Sequence, residues 1–310
     1  MKDVALVTGG AGFIGSHLID ELVGRGFSVR AFDDFSTGLR SNLDHLAGKV
    51  EIVEGTLTDP AAVDRAVKGS QLVFHLGALA SVTRSVEAPL VSHAACATGT
   101  LHVLDAARRL GVRRVVYAAS SSAYGGGSAG PEDAQREDQP IAARSPYAAA
   151  KLAGELYLQA FHATYGLETV RLRFFNIFGP RQRADSPYSG VIAIFAAAMK
   201  RGERPTIHGD GLQSRDFTYV SNAVQALVKA AEAPAAPGNV YNVGTGSSVT
   251  LLDLVHELNT ILGTKLEPTF GPTRAGDVKY SRADISKTKT DLGYKPDVTF
   301  AEGLRRTVSV

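Results

Sequence analysis

The sequence predicts an α/β protein in which a doubly wound parallel sheet carries a second, smaller α/β lobe. Two observations lead to this prediction. In the first half of the 310-residue chain, short runs of Val, Ile, Leu and Phe alternate with helical stretches, which is the pattern of βαβ units. After Asn176, glycine and proline divide the chain into shorter elements, for example at Gly179-Pro180 and Pro205. We therefore expect a second lobe that is assembled from several segments and completes a cleft.

Six strands and the helices between them can be placed in order along the first half. β-Branched and aromatic residues favour strands at Val4–Val7, Phe27–Phe32, Val50–Val53, Leu72–His75, Val115–Ala119 and Glu168–Phe174. Helical patterns fall near residues 13–25, 60–68, 88–110 and 147–165. A helix between two consecutive strands is the usual connection in a parallel sheet, so the sheet is expected to be parallel.

Composition excludes several classes of protein. The formal net charge is +2 and 44% of the residues are hydrophobic, so the chain is not intrinsically disordered. No apolar run reaches the ~18 residues of a membrane span, and the N-terminus lacks the pattern of a secretory signal. Lysine and arginine are dispersed, so no nucleic-acid partner is expected. The single cysteine, Cys96, excludes a disulfide framework and a multi-cysteine metal site. We expect a cytoplasmic protein with no metal, no membrane partner and no nucleic-acid partner.

A glycine motif opens the first predicted helix. In Thr8–Gly15 (TGGAGFIG), Gly9 permits a tight turn, and Gly12 lets the backbone approach a pyrophosphate. Gly15 lets the helix pack closely on the strand, and the helix N-terminus offers free N–H groups to phosphates. A glycine pattern alone is also compatible with a generic turn. Asp33, however, lies 18 residues after Gly15 at the end of the second strand, where a carboxylate accepts hydrogen bonds from a ribose and repels a 2′-phosphate. The motif therefore predicts a Rossmann-type site for NAD rather than NADP.

A tyrosine and a lysine lie four residues apart near the start of the helix at 147–165. On a helix, Tyr147 and Lys151 share one face, and a nearby ammonium is expected to lower a tyrosine pKa from its usual value of about 10. Ser120, Ser121 and Ser122 follow the fifth strand, at the sheet edge where ligands bind in open α/β sheets. Taken separately, the pair is also compatible with a helix surface, and the serines with a loop that satisfies its own backbone.

Together these residues resemble the extended short-chain dehydrogenase/reductase superfamily and its NAD-dependent epimerase/dehydratase family. The resemblance covers almost the whole chain. Its nucleotide-sugar branch is matched by Gly209–Gly211, Ser214–Phe217, Tyr241–Gly244 and the motifs in residues 274–287. Within that branch the chain most resembles the UDP-glucose and UDP-N-acetylglucosamine 4-epimerases. The resemblance implies an NAD-binding Rossmann domain at 1–176 with a returning segment at about 214–245, and mainly a nucleotide-sugar lobe at 177–310.

The resemblance also implies a mechanism. Ser120, Tyr147 and Lys151 correspond to the catalytic trio, although Ser122 remains an alternative to Ser120 as the hydroxyl nearest the sugar O4. Tyr147 as phenolate takes the proton of the sugar 4-hydroxyl while hydride passes from C4 to the nicotinamide. The 4-keto sugar then rotates, and hydride and proton return on its other face.

The remaining site residues follow from the same resemblance. The residues implied at the cofactor are Gly9, Gly12, Phe13, Ile14, Gly15, Asp33, Asp34, Thr37, Gly38, Thr56, Leu57, Leu76, Gly77, Ala78, Tyr147, Lys151 and Phe174. The residues implied at the substrate are Arg84, Ser121, Ser122, Asn176, Val191, Thr206, His208, Arg215, Arg274, Asp277 and Ser281. Thr56 stands where the family usually has Asp, and Cys96 stands where it usually has Asn, so NAD retention is expected to be weaker. Cys96 itself is expected to be a small buried filler.

Two positions bear on the substrate. Dehydratases and decarboxylases of this branch carry acidic residues where this chain has Ser121 and Ser122, which argues against both reactions. Ser281 corresponds to a position that limits space beside the sugar C2, and a serine leaves room for an N-acetyl group. We therefore expect UDP-GlcNAc/UDP-GalNAc interconversion, with UDP-Glc/UDP-Gal alongside.

Other functions stay open. UDP-glucuronate 4-epimerases share the small residue but commonly have Thr in place of Asn176, and Arg84 is expected near the sugar pocket, where it can meet a carboxylate or a phosphate. Another NAD-dependent nucleotide-sugar oxidoreductase uses the same machinery. A non-catalytic NAD-binding sensor or scaffold is the other class, but it predicts a broken Tyr–Lys pair, and this pair is intact. The family also implies a homodimer through helices near 93–110 and 147–165.

Overall fold

The structure is a computed structural model that describes residues 3–126, 130, 132–184, 190–273 and 278–309. Its strands are β1 (Val4–Thr8), β2 (Ser28–Asp33), β3 (Val50–Glu54), β4 (Leu72–His75), β5 (Arg114–Ser120), β6 (Glu168–Phe174), β7 (Ile177–Phe178), β8 (Thr206–His208), β9 (Ser214–Arg215), β10 (Thr218–Tyr219), β11 (Val240–Val243), β12 (Val249–Thr250), β13 (Thr269–Gly271) and β14 (Tyr280–Ser281). Its α-helices are α1 (Phe13–Gly24), α2 (Pro60–Val67), α3 (Val82–Glu87), α4 (Pro89–His93), α5 (Gly99–Arg109), α6 (Pro146–Tyr165), α7 (Val191–Lys200), α8 (Val220–Glu232), α9 (Leu251–Leu262), α10 (Ser286–Leu292) and α11 (Phe300–Val308).

Seven strands form one parallel sheet in the order β11-β6-β5-β4-β1-β2-β3. The chain winds outward from β1 to β3 and then restarts at β4 on the other side of β1. The carboxyl ends of β1 and β4 therefore flank the point where the winding reverses, which is where doubly wound sheets bind ligands. The predicted fold class is confirmed.

The six predicted strands are all present, with ends that differ by one residue or so. The helix expected near 88–110 is instead divided into α4, a π-helical turn at Ala94–Thr98, and α5. The short helix α3 before it was not predicted. The structure therefore places an irregularity in this region that the hydrophobic pattern does not show.

Two apolar layers cover the sheet, one on each face. On one face α1 and α8 pack against each other and contribute residues such as Leu18, Ile19 and Leu227. On the other face α2, α5 and α6 pack together through residues such as Leu104 and Leu158. Because both faces are covered, strands such as β5 are buried almost throughout, as expected for a parallel sheet.

An apolar core separate from the two layers of the sheet supports the proposed second lobe. In it, the ring of Phe178 contacts those of Phe217, Tyr219 and Phe300, and α7, α9 and α11 pack around them. Within the described residues, no helix is both long and apolar enough to cross a membrane.

A buried carboxylate ties together three segments beside the cleft. Asp216, between β9 and β10, accepts hydrogen bonds from the backbone N–H groups of Thr245, Gly246 and Ala283 at 2.8–3.2 Å. Burial raises the pKa of Asp216, and these hydrogen bonds act in the opposite direction. The carboxylate therefore fixes β9, and β14 paired with it, against the end of β11.

Candidate active site

The glycine motif forms the turn between β1 and α1. Gly9 has φ +68°, and a Cβ there would lie 2.8 Å from the backbone nitrogen of Gly77. A Cβ on Gly15 would lie 2.1 Å from the carbonyl oxygen of Gly9. No larger residue fits either position without moving backbone, so the turn brings the N-terminus of α1 close to the ends of β1 and β4. This cradle fits a pyrophosphate.

Asp33 ends β2 with its carboxylate held by backbone groups. Its Oδ2 accepts a hydrogen bond from Ala11 N, and its Oδ1 accepts one from Phe35 N, both at 2.9 Å. Burial raises the pKa of Asp33, while these hydrogen bonds lower it. The carboxylate therefore links the end of β2 to the glycine turn, at the position the sequence assigned to a ribose.

A first cavity of about 460 Å³ runs along the carboxyl ends of the strands. Every residue expected at the cofactor lines this cavity except Gly38. Gly38 packs against Asp33 instead, since a Cβ on Gly38 would lie only 3.0 Å from Asp33 Oδ1. The wall also includes residues that sequence reasoning missed, namely Phe32, Ser36, Gly55, Leu79, Ala80, Ala95, Ala118, Ala119, Ile177 and Gln182.

Tyr147 and Lys151 lie one turn apart at the start of α6. Ser145 caps this helix by accepting a hydrogen bond from Ala148 N at 3.1 Å, and Pro146 occupies its first turn. The Lys151 ammonium is buried and lies 4.3 Å from the centroid of the Tyr117 ring. Burial lowers the pKa of Lys151 to about 8, although Glu155, one turn further along, raises it.

The hydrogen bonds around Ser120 have a definite direction. Its Oγ accepts from Ser122 N at 3.2 Å and from Ser122 Oγ at 2.9 Å, so its own proton is left to donate to Tyr147. Within this network the Ser120 hydroxyl faces Tyr147, and Ser122 donates hydrogen bonds to Ser120. The trio assigned from the motifs is therefore brought together.

The prediction of a lowered pKa for Tyr147 was wrong. Burial raises the pKa of Tyr147, Cys96 raises it further, and the hydrogen bond from Ser120 lowers it only in part. Sequence spacing shows that Lys151 shares a helix face with Tyr147, but it does not show how far the surrounding side chains withdraw the phenol from water.

A chain of buried hydrogen bonds runs beneath the glycine turn. Gly77 N donates to Thr8 Oγ1 at 3.1 Å, and Thr8 Oγ1 lies 2.7 Å from His75 Nδ1. On the other side of the ring, His75 Nε2 lies 2.9 Å from Thr100 Oγ1, which donates to the carbonyl of Cys96 at 2.5 Å. Because the Thr100 proton is used on Cys96, His75 must donate from Nε2 and accept at Nδ1 from Thr8.

His75 is consequently a neutral imidazole with a fixed tautomer. Burial, followed by the charge of Lys151, lowers the pKa of His75 to about 3. The chain joins the glycine turn to the π-helical turn that carries Cys96. Cys96 is buried in an apolar cluster with Ala150 and Tyr147, as expected for a small filler.

A second cavity of about 590 Å³ lies between the serine turn and the second lobe. It meets the first cavity at four residues, Ser120, Tyr147, Phe174 and Asn176, which line both. Asn176 follows β6 with φ +34°, an unusual conformation for a residue other than glycine, and its Nδ2 donates to the carbonyl of Asp216 at 3.4 Å. The junction therefore brings a tyrosine and a serine to the point where two ligands can meet, and the buried Lys151 lies beside it on the wall of the first cavity.

Most residues expected at the substrate line the second cavity. These are Ser121, Ser122, Asn176, Val191, Thr206, His208, Arg215 and Ser281, with Ser281 directly opposite Arg215 on paired strands. Arg84 lines neither cavity, although its neighbours Val82 and Thr83 do. Arg274 and Asp277 lie outside the described residues.

Sequence reasoning missed several polar residues on the wall of this second cavity, among them Gln135, Arg144 and Gln213. Arg144 precedes Ser145, the helix cap before Tyr147, so its nearness to the motif was the available signal. Among the residues that the structure describes, no group of three His, Cys, Asp or Glu side chains is arranged to hold a metal ion. With a hydride acceptor bound in the first cavity, the arrangement would allow an alcohol at the junction to be oxidised and reduced, with Tyr147 carrying the proton.

Comparison with known proteins gives concordant findings. The family model described as "NAD dependent epimerase/dehydratase family" matches residues 5–244. The UDP-glucose 4-epimerase of Mycolicibacterium smegmatis is 39% identical, over 98% of this chain and 96% of the relative. The solved UDP-N-acetylglucosamine 4-epimerase of Methanobrevibacter ruminantium, in complex with UDP-N-acetylmuramic acid, has a TM-score of 0.94 at 39% identity, over 100% of this chain and 98% of the other. MoeE5 in complex with UDP-glucuronic acid and NAD has a TM-score of 0.89 at 36% identity, over 99% and 98%.

Proposed function

This chain belongs to the NAD-dependent epimerase/dehydratase family and is an NAD-dependent enzyme, and from that premise we propose that it is a UDP-hexose 4-epimerase. The observation that carries the proposal is the junction of the two cavities at Ser120, Tyr147, Phe174 and Asn176. Among the described lining residues, these four are the ones at which a cofactor in the first cavity and a sugar in the second can meet. The acid–base groups of the protein stand at the same place.

The chemistry follows from the groups at the junction. Bound NAD supplies a reversible acceptor for the hydride that leaves sugar C4. Tyr147, as phenolate, accepts the proton of the 4-hydroxyl and later returns it, while Ser120 donates a hydrogen bond that favours the phenolate. Lys151 adds a positive charge from the same helix face. The 4-keto sugar rotates between the two half-reactions and presents its other face. The net change is therefore inversion at C4, and the cofactor returns to its oxidised form.

The walls of the second cavity favour this outcome over elimination of water. Ser121 and Ser122 stand beside the junction, and among the described residues that line this cavity there is no Asp or Glu. Loss of water requires an additional acid and base beside the sugar. Inversion at C4 requires only the one proton carrier, which is Tyr147.

We further propose that the substrate carries a bulky substituent at the sugar C2. Ser281 is buried, lines the second cavity and lies opposite Arg215, whose guanidinium suits recognition of a diphosphate. A serine leaves room there for an N-acetyl group, so UDP-GlcNAc/UDP-GalNAc conversion is expected, with UDP-Glc/UDP-Gal alongside. UDP-glucuronate is the second candidate substrate, since a relative of 36% identity binds it.

Product analysis tests the proposal. The purified protein would be incubated with NAD and, separately, with UDP-GlcNAc, UDP-Glc and UDP-GlcA, and the nucleotide sugars would be resolved by chromatography and NMR. We expect the 4-epimer at equilibrium without net NADH. A dehydrated or decarboxylated product, or no conversion of any of the three sugars, would contradict it.

A further inference from the structure

A buried ion pair joins α6 to the central sheet one turn beyond Lys151. Glu155 of α6 pairs with Arg173 of β6, and both side chains are buried. Arg173 Nε donates to Glu155 Oε1 at 3.0 Å, and Arg173 Nη2 donates to Glu155 Oε2 at 2.8 Å. This two-point contact holds Glu155 as a carboxylate in one orientation.

Packing alone does not explain this pair. Apolar side chains of similar volume fill a buried position as well as an ion pair does, because both charges must be taken out of water. Arg173 Nη1 is also buried, and within the described part of the chain it has no hydrogen-bond partner. A position that keeps two buried charges under these conditions indicates that the charges are used.

The ammonium of Lys151 is the neighbour that can use the carboxylate. Lys151 and Glu155 are four residues apart on α6, a spacing that places their side chains next to each other. Burial lowers the pKa of Lys151 to about 8, and Cys96 and Glu155 both raise it. Cys96 carries no charge while it is a thiol, whereas Arg173 holds Glu155 as a carboxylate.

The other groups around Lys151 supply no standing negative charge. The described titratable groups that face it are Tyr147 and Glu155 on α6, Cys96 in the π-helical turn, His75 on β4 and Tyr117 on β5. No charged residue of α3, α4 or α5 is among the groups that shift the pKa of Lys151. Among these described groups, Glu155 is therefore the counter-charge of the ammonium.

We propose that Glu155, held by Arg173, is a positioning residue that keeps Lys151 charged beside Tyr147. This inference rests on the proposed 4-epimerase function. Glu155 lines neither cavity, so it acts through Lys151 and does not touch a ligand. A charged Lys151 favours the phenolate of Tyr147 when the sugar gives up its proton. Without Glu155 the buried ammonium would lack its counter-charge and would lose its proton at a lower pH.

The test is a pH profile of matched variants. The kcat for 4-epimerisation would be measured from about pH 6 to about pH 8 in the wild-type protein and in Glu155→Gln, with a nucleotide sugar that the wild type converts. Glu168→Gln is the control, because Glu168 also pairs with a buried arginine, Arg114, but at the opposite end of β6. Variants that retain NAD would be compared, which removes misfolded protein from the comparison.

We expect the ratio of wild-type kcat to Glu155→Gln kcat to rise about fivefold between pH 6 and pH 8. This rise corresponds to a fall of about one unit in the pKa of Lys151 from its value of about 8. Glu168→Gln should show no such rise. A loss of kcat in Glu155→Gln by the same factor at every pH would show a merely structural role and would overturn the proposal.

A double variant keeps the test available if Glu155→Gln does not fold. Glu155→Gln combined with Arg173→Gln removes both charges, so no buried arginine is left unpaired, and two amides can hydrogen-bond to each other. Arg173 is not among the groups that shift the pKa of Lys151, so the double variant should show a similar rise with pH. A flat ratio in the double variant would count against the proposal in the same way.

Titration of Lys151 itself separates this inference from the proposed function. NMR of the protein with NAD, labelled with carbon-13 at the lysine Cε atoms, follows this proton without turnover, and Lys151→Met assigns the signal. We expect the midpoint in Glu155→Gln to lie about one pH unit below that of the wild type. An unchanged midpoint would overturn the role of Glu155 while the epimerase stands. If the midpoint shifts but no nucleotide sugar is converted, the proposed function fails and the effect of Glu155 on Lys151 stands.

Discussion

At the level of single residues, the Tyr147 hydroxyl combines features that oppose each other. Burial raises its pKa, yet the proposed chemistry needs the phenolate. Tyr147→Phe removes the proton carrier and leaves the ring in place, so turnover should fall by about 10²–10⁴-fold while bound NAD is retained. Turnover and NAD released on denaturation are the measurements. Tyr165→Phe, an exposed tyrosine of the same helix, is the control, and near-normal turnover in Tyr147→Phe would show that another group moves the proton.

Ser281 offers a test of the substrate pocket. Because its side chain is buried on the wall of the second cavity, a tyrosine there would fill the space proposed for the C2 substituent. Ser281→Tyr should lower kcat/KM for UDP-GlcNAc at least about tenfold more than for UDP-Glc. Ser281→Ala keeps the space and should preserve the preference. Equal loss of both sugars in the tyrosine variant would place the C2 group elsewhere.

Sequence reasoning identified the residues that local motifs carry. The glycine turn, Asp33 and the Tyr147/Lys151 pair are each defined by short spacings within one βα unit or one helix, and all of them line the first cavity. Gln135 and Arg144 belong to no motif, and only the folded chain brings them to the cavity wall. The pKa of Tyr147 was misjudged because burial, the larger effect, cannot be read from spacing.

At the level of secondary structure, long periodic elements were predictable and short ones were not. The six central strands and α6 have enough residues for a periodic pattern. Strands β9, β10, β12 and β14 have two residues each, which is too short for a sequence pattern. Whether they form depends on pairing with neighbouring strands. The π-helical turn at Ala94–Thr98 is held by contacts such as that of Thr100 Oγ1 with the Cys96 carbonyl, and no pattern in the sequence signals it.

Helices α3, α4 and α6 present an exposed apolar surface formed by Val86, Leu90, Val91 and Leu156. The homodimer through the helices near 93–110 and 147–165 remains a prediction. This surface adjoins those helices, and we expect it to extend the interface, since Leu90 is 83% exposed. Leu90→Asp would place a charge in the interface and should give a monomer in size exclusion with light scattering. Phe270→Asp, an exposed apolar residue on β13, is the control. A dimer that survives Leu90→Asp, or a monomeric wild type, would contradict this surface.

At the level of the whole molecule, His75 couples stability to pH. Burial, followed by the charge of Lys151, lowers the pKa of His75 to about 3, whereas the unfolded chain takes up this proton near 6.5. Between these two pKa values the unfolded state binds more protons than the folded state. The contribution of neutral His75 to the free energy of unfolding is therefore full above about pH 6.5. It is lost as the pH falls, at up to about 1.4 kcal/mol per pH unit.

His75→Gln tests this coupling. The variant loses the buried ring and its hydrogen bonds, so it should be less stable than wild type at about pH 7.5, and the difference should narrow at about pH 5. Denaturant unfolding at both pH values measures it. His45→Gln, which changes an exposed histidine, serves as the control. A difference between wild type and His75→Gln that is the same at both pH values would mean that His75 does not titrate as inferred.

The place of β11 in the large sheet has a consequence for synthesis on the ribosome. β6 ends at Phe174, but its outer neighbour, β11, begins at Val240 and pairs residue for residue with Arg171–Phe174. Until residue 243 has left the exit tunnel, β6 is an open edge whose backbone N–H and C=O groups are unpaired on one side. The first 176 residues of a nascent chain therefore cannot finish their own sheet. Chains that stall between these two strands would expose that edge to chaperones, proteases or one another.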